Sequence, residues 1–166
     1  MRRLSLFFLL LPLLAVGQQS YEIFSPDSNI RLVVNCKQDS PLLYSVYHKG
    51  TPVVEEGQVA PVTVKRPKRI SADATYEAPF YKRTQVRDHY NGIRFSEVEF
   101  RAYNEGVAYR KIQRNGGYVS CDINQFRFPE GSKVWASYSR KGFASSHENT
   151  YVHEAINEMD TSKLAY

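Results

Sequence analysis

The sequence predicts an all-β protein, a sandwich or barrel rather than a chain of alternating strands and helices. Three observations carry this. Apolar and polar residues alternate with a period of two in short runs, the pattern of half-buried strands. Gly, Pro, Asn and Asp, which supply turn conformations, punctuate those runs at close spacing. The one helical candidate, TYVHEAINEMDTSKL from Thr150 to Leu164, lacks a clean recurrence of apolar residues at three and four.

The first element is a leader. MRRLSLFFLLLPLLAVGQQS places Arg2 and Arg3 before an apolar run from Leu4 to Val16, with small residues at Ala15 and Gly17. This is the layout of a signal peptide, residues 1–17, cleaved after Gly17 to leave residues 18–166. A membrane-spanning helix needs about 20 apolar residues, whereas this run is shorter and contains Pro12. Export to the periplasm or the exterior is therefore expected, with no membrane attachment after cleavage.

The part that follows has the length of one domain with room for a core. Loss of Arg2 and Arg3 takes the formal charge from +5 to +3. So mild a balance gives no support to nucleic-acid binding, and the dense basic run VKRPKRI, from Val64 to Ile70, reads as a solvated strand end. Cys36 and Cys121 are the two cysteines. An oxidising compartment permits a bridge between them, two separate small buried residues are the favoured reading, and the pairing cannot be read from the spacing.

The strands follow in order. SPDSN supplies turn chemistry ahead of NIRLVVNCK, where Ile30, Leu32, Val34 and Cys36 share one face. LLYSVYHKGTPVV gives two runs about a Lys49-Gly50 turn, a hairpin, and VAPVTVK continues the alternation. Arg87, Asp88, His89 and Tyr90 read as a turn before a strand, with Asn91-Gly92 as its corner. VEFRAY then points Val98, Phe100 and Ala102 one way and Glu97, Glu99 and Arg101 the other. In FRAYNEGVAYR, Asn104 and Gly106 tolerate positive φ, so the chain can turn while keeping Phe100 and Val107 on the core face. NQFRF ends at a Pro129-Glu130-Gly131 turn.

Chemistry-bearing residues are few. His147-Glu148 and His153-Glu154 approximate a zinc HExxH motif, but that motif sets its histidines four apart on one helical face. Here the spacing is six, so no zinc site is expected. Glu148 near Tyr151 reads, by itself, as a solvated loop residue. Trp135 and the twelve tyrosines read as core or cross-strand partners rather than sugar-stacking residues.

The blocks RDHYNGIRF, FRAYNEGVAYR, QFRFPEGSKVWASY and HENTYVHEAI, in that order after SPDSNIRLVV, resemble the N-terminal domain of glycoside hydrolase family 97 over nearly the whole mature chain. The resemblance implies a β-super-sandwich of the galactose-mutarotase-like type, incomplete at its C-terminal end. It also implies a partner, a (β/α)8 barrel that hydrolyses α-glycosidic bonds of glucosides or galactosides and carries the catalytic groups. Calcium is the implied cofactor, held mostly by barrel carboxylates, with one glutamate from the N-terminal domain in a Glu-x-x-Tyr setting that matches Glu148. One glutamate cannot hold an ion that takes six to eight oxygens. No catalytic residue is assigned to this chain, since the strand pattern offers no barrel for paired catalytic carboxylates, and no substrate-binding residue is assigned. The resemblance places the Arg87–Tyr90 segment near the barrel face, beside sugar hydroxyls or the calcium's outer shell. Two departures stand out: the chain is short between Ile93 and Val98, and Ser120-Cys121-Asp122 replaces a Ser-Glu pair. The expectation is an accessory domain of an exported α-glycosidase, present here as a fragment and inactive alone. The alternatives are a free-standing carbohydrate-binding sandwich and an inactive remnant with an exposed apolar flank.

Overall fold

The computed structural model describes residues 18–37, 40–61, 67–80, 82–112, 124–139 and 149–163. These form strands β1 (Gln19–Phe24), β2 (Ile30–Cys36), β3 (Pro41–His48), β4 (Thr51–Pro61), β5 (Lys68–Glu77), β6 (Gln85–Arg94), β7 (Val98–Ala102), β8 (Val107–Lys111), β9 (Gln125–Arg127), β10 (Lys133–Ala136) and β11 (Val152–Ala155). One turn of 3-10 helix spans Ile156–Glu158. A five-stranded sheet runs β1-β2-β3-β4-β9, a four-stranded sheet runs β5-β6-β7-β8, and β10 pairs with β11. Every pairing is antiparallel.

The two larger sheets pack face to face, with β1 against β6 and β2 against β7. Alternation decides what lies between them. Ile23, Leu32, Val34, Cys36, Leu42, Tyr44 and Val59 come from one sheet, and Ile93, Phe95, Val98, Phe100 and Ala102 from the β6–β7 hairpin. Tyr44 ties the layers together: its ring lies 5.5 Å from Phe100, 5.8 Å from Tyr109 and 6.5 Å from Phe126. Burial, with a smaller effect of Tyr109, pushes the Tyr44 hydroxyl up to about 12.

The expected β3–β4 hairpin forms as a tight two-residue turn, with φ of 50° at Lys49 and 86° at Gly50. Positive φ at both central positions matches the twist of the flanking strands. Beyond the turn β4 slips against β3 at three places, between the partners of Pro41 and Leu42, of Tyr44 and Val46, and of Val46 and Tyr47. Its eleven residues thereby run beside eight. Gly57 faces Tyr44, and a Cβ there would stand 2.2 Å from the ring.

Three expectations are corrected. Asn91-Gly92 is no corner: both residues lie inside β6. Gly92 is required there because a Cβ would come within 2.4 Å of the Phe100 carbonyl oxygen, and Asn91 donates from Nδ2 to the Phe24 carbonyl at 2.9 Å. The turn after β7 closes without positive φ at Asn104 or Gly106. Tyr103 N–H donates to Gly106 O at 2.8 Å, and Asn104 Oδ1 accepts from Asp27 N–H at 3.1 Å, fastening two loops at one end of the sandwich. The short segment between Ile93 and Val98 lacks nothing, since Phe95 N–H donates to Val98 O at 2.8 Å and Arg94 pairs with Glu99 in a complete tight hairpin. Glu99 lies on the side of β7 opposite Phe100, as expected, and is buried there.

Other expectations hold. Phe100 is fully buried and Val107 packs against the core. Lys68 and Arg69 are exposed at the start of β5, while Val64 to Arg66 lie outside the described residues. Cys36 is buried, its thiol directed at the Gln19 carbonyl at 3.5 Å. Cys121 lies outside the described residues.

Truncating the central ring should cost most. Phe100→Ala is expected to lower unfolding free energy by about 3–5 kcal/mol, and Gly92→Ala by about 1–3 kcal/mol through overpacking. Urea denaturation followed by circular dichroism measures both.

Candidate functional site

The densest polar constellation lies on the outer face of the four-stranded sheet. Cross-strand register builds it: Glu99 on β7 stands opposite Arg94 on β6 and Arg110 on β8, and Arg101, two residues on, shares its face. Arg94 donates from Nε to Glu99 Oε2 at 2.6 Å and also from Nη2. Arg101 Nε donates to Oε1 at 2.7 Å, and Arg110 Nη2 reaches Oε2 at 3.3 Å. The Glu99 side chain is 0 % exposed, whereas Arg94, Arg101 and Arg110 are 43 %, 22 % and 58 % exposed. The guanidinium groups thus form a lid over a carboxylate close to the surface. Burial raises the Glu99 pKa, but the hydrogen bonds from Arg101, Arg94 and Arg110 outweigh it and leave the group below its ordinary value.

The network continues sideways. Arg101 Nη1 donates to the Tyr103 hydroxyl at 3.2 Å and contacts Asp88 Oδ2 at 3.5 Å. The Tyr103 hydroxyl donates to Asp88 Oδ1 at 2.9 Å. The Arg101 guanidinium lies 4.2 Å above the Tyr90 ring, a cation–π contact. Strand alternation therefore divides the Arg87–Tyr90 group. Asp88 and Tyr90 join Glu99, whereas Arg87 and His89 turn to the other side toward Asp73 on β5, with Arg87 held at 2.7 and 2.8 Å. The segment is legible in the sequence as polar, but its division is not, because its composition is that of a turn. Charge order alone offered a signal for Glu99: arginines at 94 and 110 stand on the strands that become its neighbours, and Arg101 follows two residues on along β7 itself.

The second constellation is the β10–β11 pair. Trp135 stands opposite His153, their rings 4.4 Å apart and within 9° of parallel. Trp135 is thus a cross-strand partner, as expected, yet it is 64 % exposed. On the opposite side Tyr138 donates its hydroxyl to Glu154 and accepts from Asp160 N–H at 3.0 Å. Glu148 and His147 lie outside the described residues, in the stretch of sequence between these two strands. Among the described residues no three His, Cys, Asp or Glu side chains are grouped as a metal site.

A third feature is a cavity of about 590 Å³ opening at one end between the sheets. Val46, Val54, Val107 and Tyr109 give it apolar walls, with His48 and Glu105 at its margin.

The family described as Glycosyl-hydrolase 97 N-terminal matches residues 23–166. A retaining alpha-galactosidase of Bacteroides thetaiotaomicron is 26% identical over 176 aligned residues, which take in 90% of this chain and 26% of that protein. Among solved structures, a lysine-for-arginine variant of a glycoside hydrolase family 97 enzyme from Pseudoalteromonas sp. strain K8 superposes with a TM-score of 0.65 at 18% identity, over 83% of this chain and 25% of that one. The same enzyme in complex with acarbose gives 0.61, over 82% and 25% of the two chains at 18% identity. At that identity the structural likeness speaks for the fold. The chain spans about a quarter of the length of these relatives.

The Glu99 lid can be tested by charge removal. Glu99→Gln leaves three guanidinium groups without the negative charge they share and is expected to destabilise the fold by about 2–3 kcal/mol. The folded-state pKa lies below the unfolded one, so the stabilisation is complete above about pH 4.3 and is lost as the pH falls through the lower folded value. Urea midpoints across an acid series should fall more steeply for the native protein than for the variant.

Proposed function

This chain belongs to the glycoside hydrolase family 97 N-terminal domains, and from that membership we propose that it is the non-catalytic sandwich of an exported α-glycosidase. In this reading it packs against a (β/α)8 barrel, helps to shape the carbohydrate site and lends Glu148 to a calcium site. The family match across residues 23–166 carries the reading. The likeness to an alpha-galactosidase four times longer supports a role as one part of a glycosidase.

The chemistry of the chain fits an accessory role. Its buried carboxylate, Glu99, is committed to three arginines and is unavailable as an acid, base or nucleophile. For calcium, the described residues offer no group of three ligands, and in this reading most of the shell of six to eight oxygens comes from the barrel. Glu148 fits as a single donor because it falls in the connection between two paired strands, matching the Glu-x-x-Tyr setting with Tyr151. A bound calcium supplies positive charge to the sugar site. The sandwich would contribute one carboxylate to it.

Two measurements test this. Intact mass of the secreted protein should show loss of residues 1–17, leaving Gln18 first. In the protein carrying both sandwich and barrel, Glu148→Gln should raise the calcium concentration needed for half-maximal α-glycosidase activity by about 10–100-fold. An unchanged calcium requirement removes Glu148 from the site.

A further inference from the structure

We propose that the Trp135–His153 pair is a stacking platform for a pyranose ring of the α-glycoside, an outlying contact beyond the reacting bond. The inference rests on the carbohydrate-site reading above and adds to it a place and two residues.

Four observations carry it. First, β10 separates its sides: Ala136 is buried at 1 % exposure, while Trp135, one residue earlier, points away from that buried side. The indole is therefore no component of this chain's own core. Second, the indole is held. Its near-parallel stack on His153 fixes its orientation, and register places the two side by side across the β10–β11 ladder. A fixed ring loses little conformational freedom when a ligand arrives. Third, the surroundings are polar. Lys133 and His153 share this side of the small sheet, and the exposed Tyr151 lies two residues before His153. A single aromatic plate with hydrogen-bonding groups at its margin differs from the broad apolar patch of a protein-binding surface. It complements a pyranose, which has an apolar C–H face and hydroxyls around its rim. Fourth, Trp135 and His153 stand on the two strands that flank, in sequence, the connection containing Glu148, the residue proposed to serve calcium.

Tryptophan occurs once in the sequence, so emission excited selectively at the indole, apart from the twelve tyrosines, reports on Trp135 alone. Maltotriose and melibiose are the probes, with glycerol as the control, and the protein is the whole chain. The expected result is a saturable emission change with at least one sugar and none with glycerol. Calorimetry of Trp135→Ala should show affinity lower by about tenfold, while Trp135→Phe keeps most of it. Circular dichroism of both variants confirms the fold. His153→Ala, which leaves the reporter in place, should weaken binding less than Trp135→Ala does. Absence of any sugar-dependent emission change overturns the platform. So does sugar affinity undiminished in Trp135→Ala, a result that places the sugar elsewhere. Neither outcome touches the calcium role of Glu148, which has its own assay.

Discussion

Strand β7 is sealed on both sides, and the sandwich is organised around that constraint. Its inward residues, Val98, Phe100 and Ala102, occupy the centre of the core. On its outward side an ordinary surface sheet would leave a glutamate in water, yet three arginines on three strands close over Glu99. An outer sheet face of this kind cannot slip its register by one residue. Such a shift would send Phe100 into the arginines and Glu99 into the core. The ion cluster and the aromatic cluster thus enforce one register from opposite sides.

The aromatic layer extends this order across the sandwich. Phe100 contacts Phe95, Tyr44 and Tyr109 at ring separations of 6.3, 5.5 and 5.6 Å. Tyr44 in turn requires Gly57 opposite it, since a side chain there would occupy the space of the ring. The two sheets are joined by fitted rings, each of which restricts residues on a neighbouring strand.

Much of the fold was legible because strand alternation is a local property. The inward residues of β2 and β7, the Lys49-Gly50 turn and the Pro129–Gly131 turn could all be read from short windows. The misreadings share a cause, which is that they depend on partners distant in sequence. Asn91-Gly92 has the composition of a corner, and only the close approach of Phe100 explains a glycine within a strand. Glu99 alternates as a solvent-facing residue should, and only Arg94 and Arg110 on adjoining strands explain its burial. The site was less legible. Glu148 came from the family resemblance alone, and the exposure of Trp135 depends on which side of β10 the body of the protein covers.

The three register slips of β4 bear on how the molecule behaves in a crowd. Strand β9 covers this edge at Glu56, Gly57 and Gln58, and a straight strand beyond that cover would invite a second molecule to add itself laterally. Repeated extra residues bend and twist a ladder locally and throw its amides and carbonyls out of step. The irregularity of β4 therefore works against the lateral addition of a second strand along this edge.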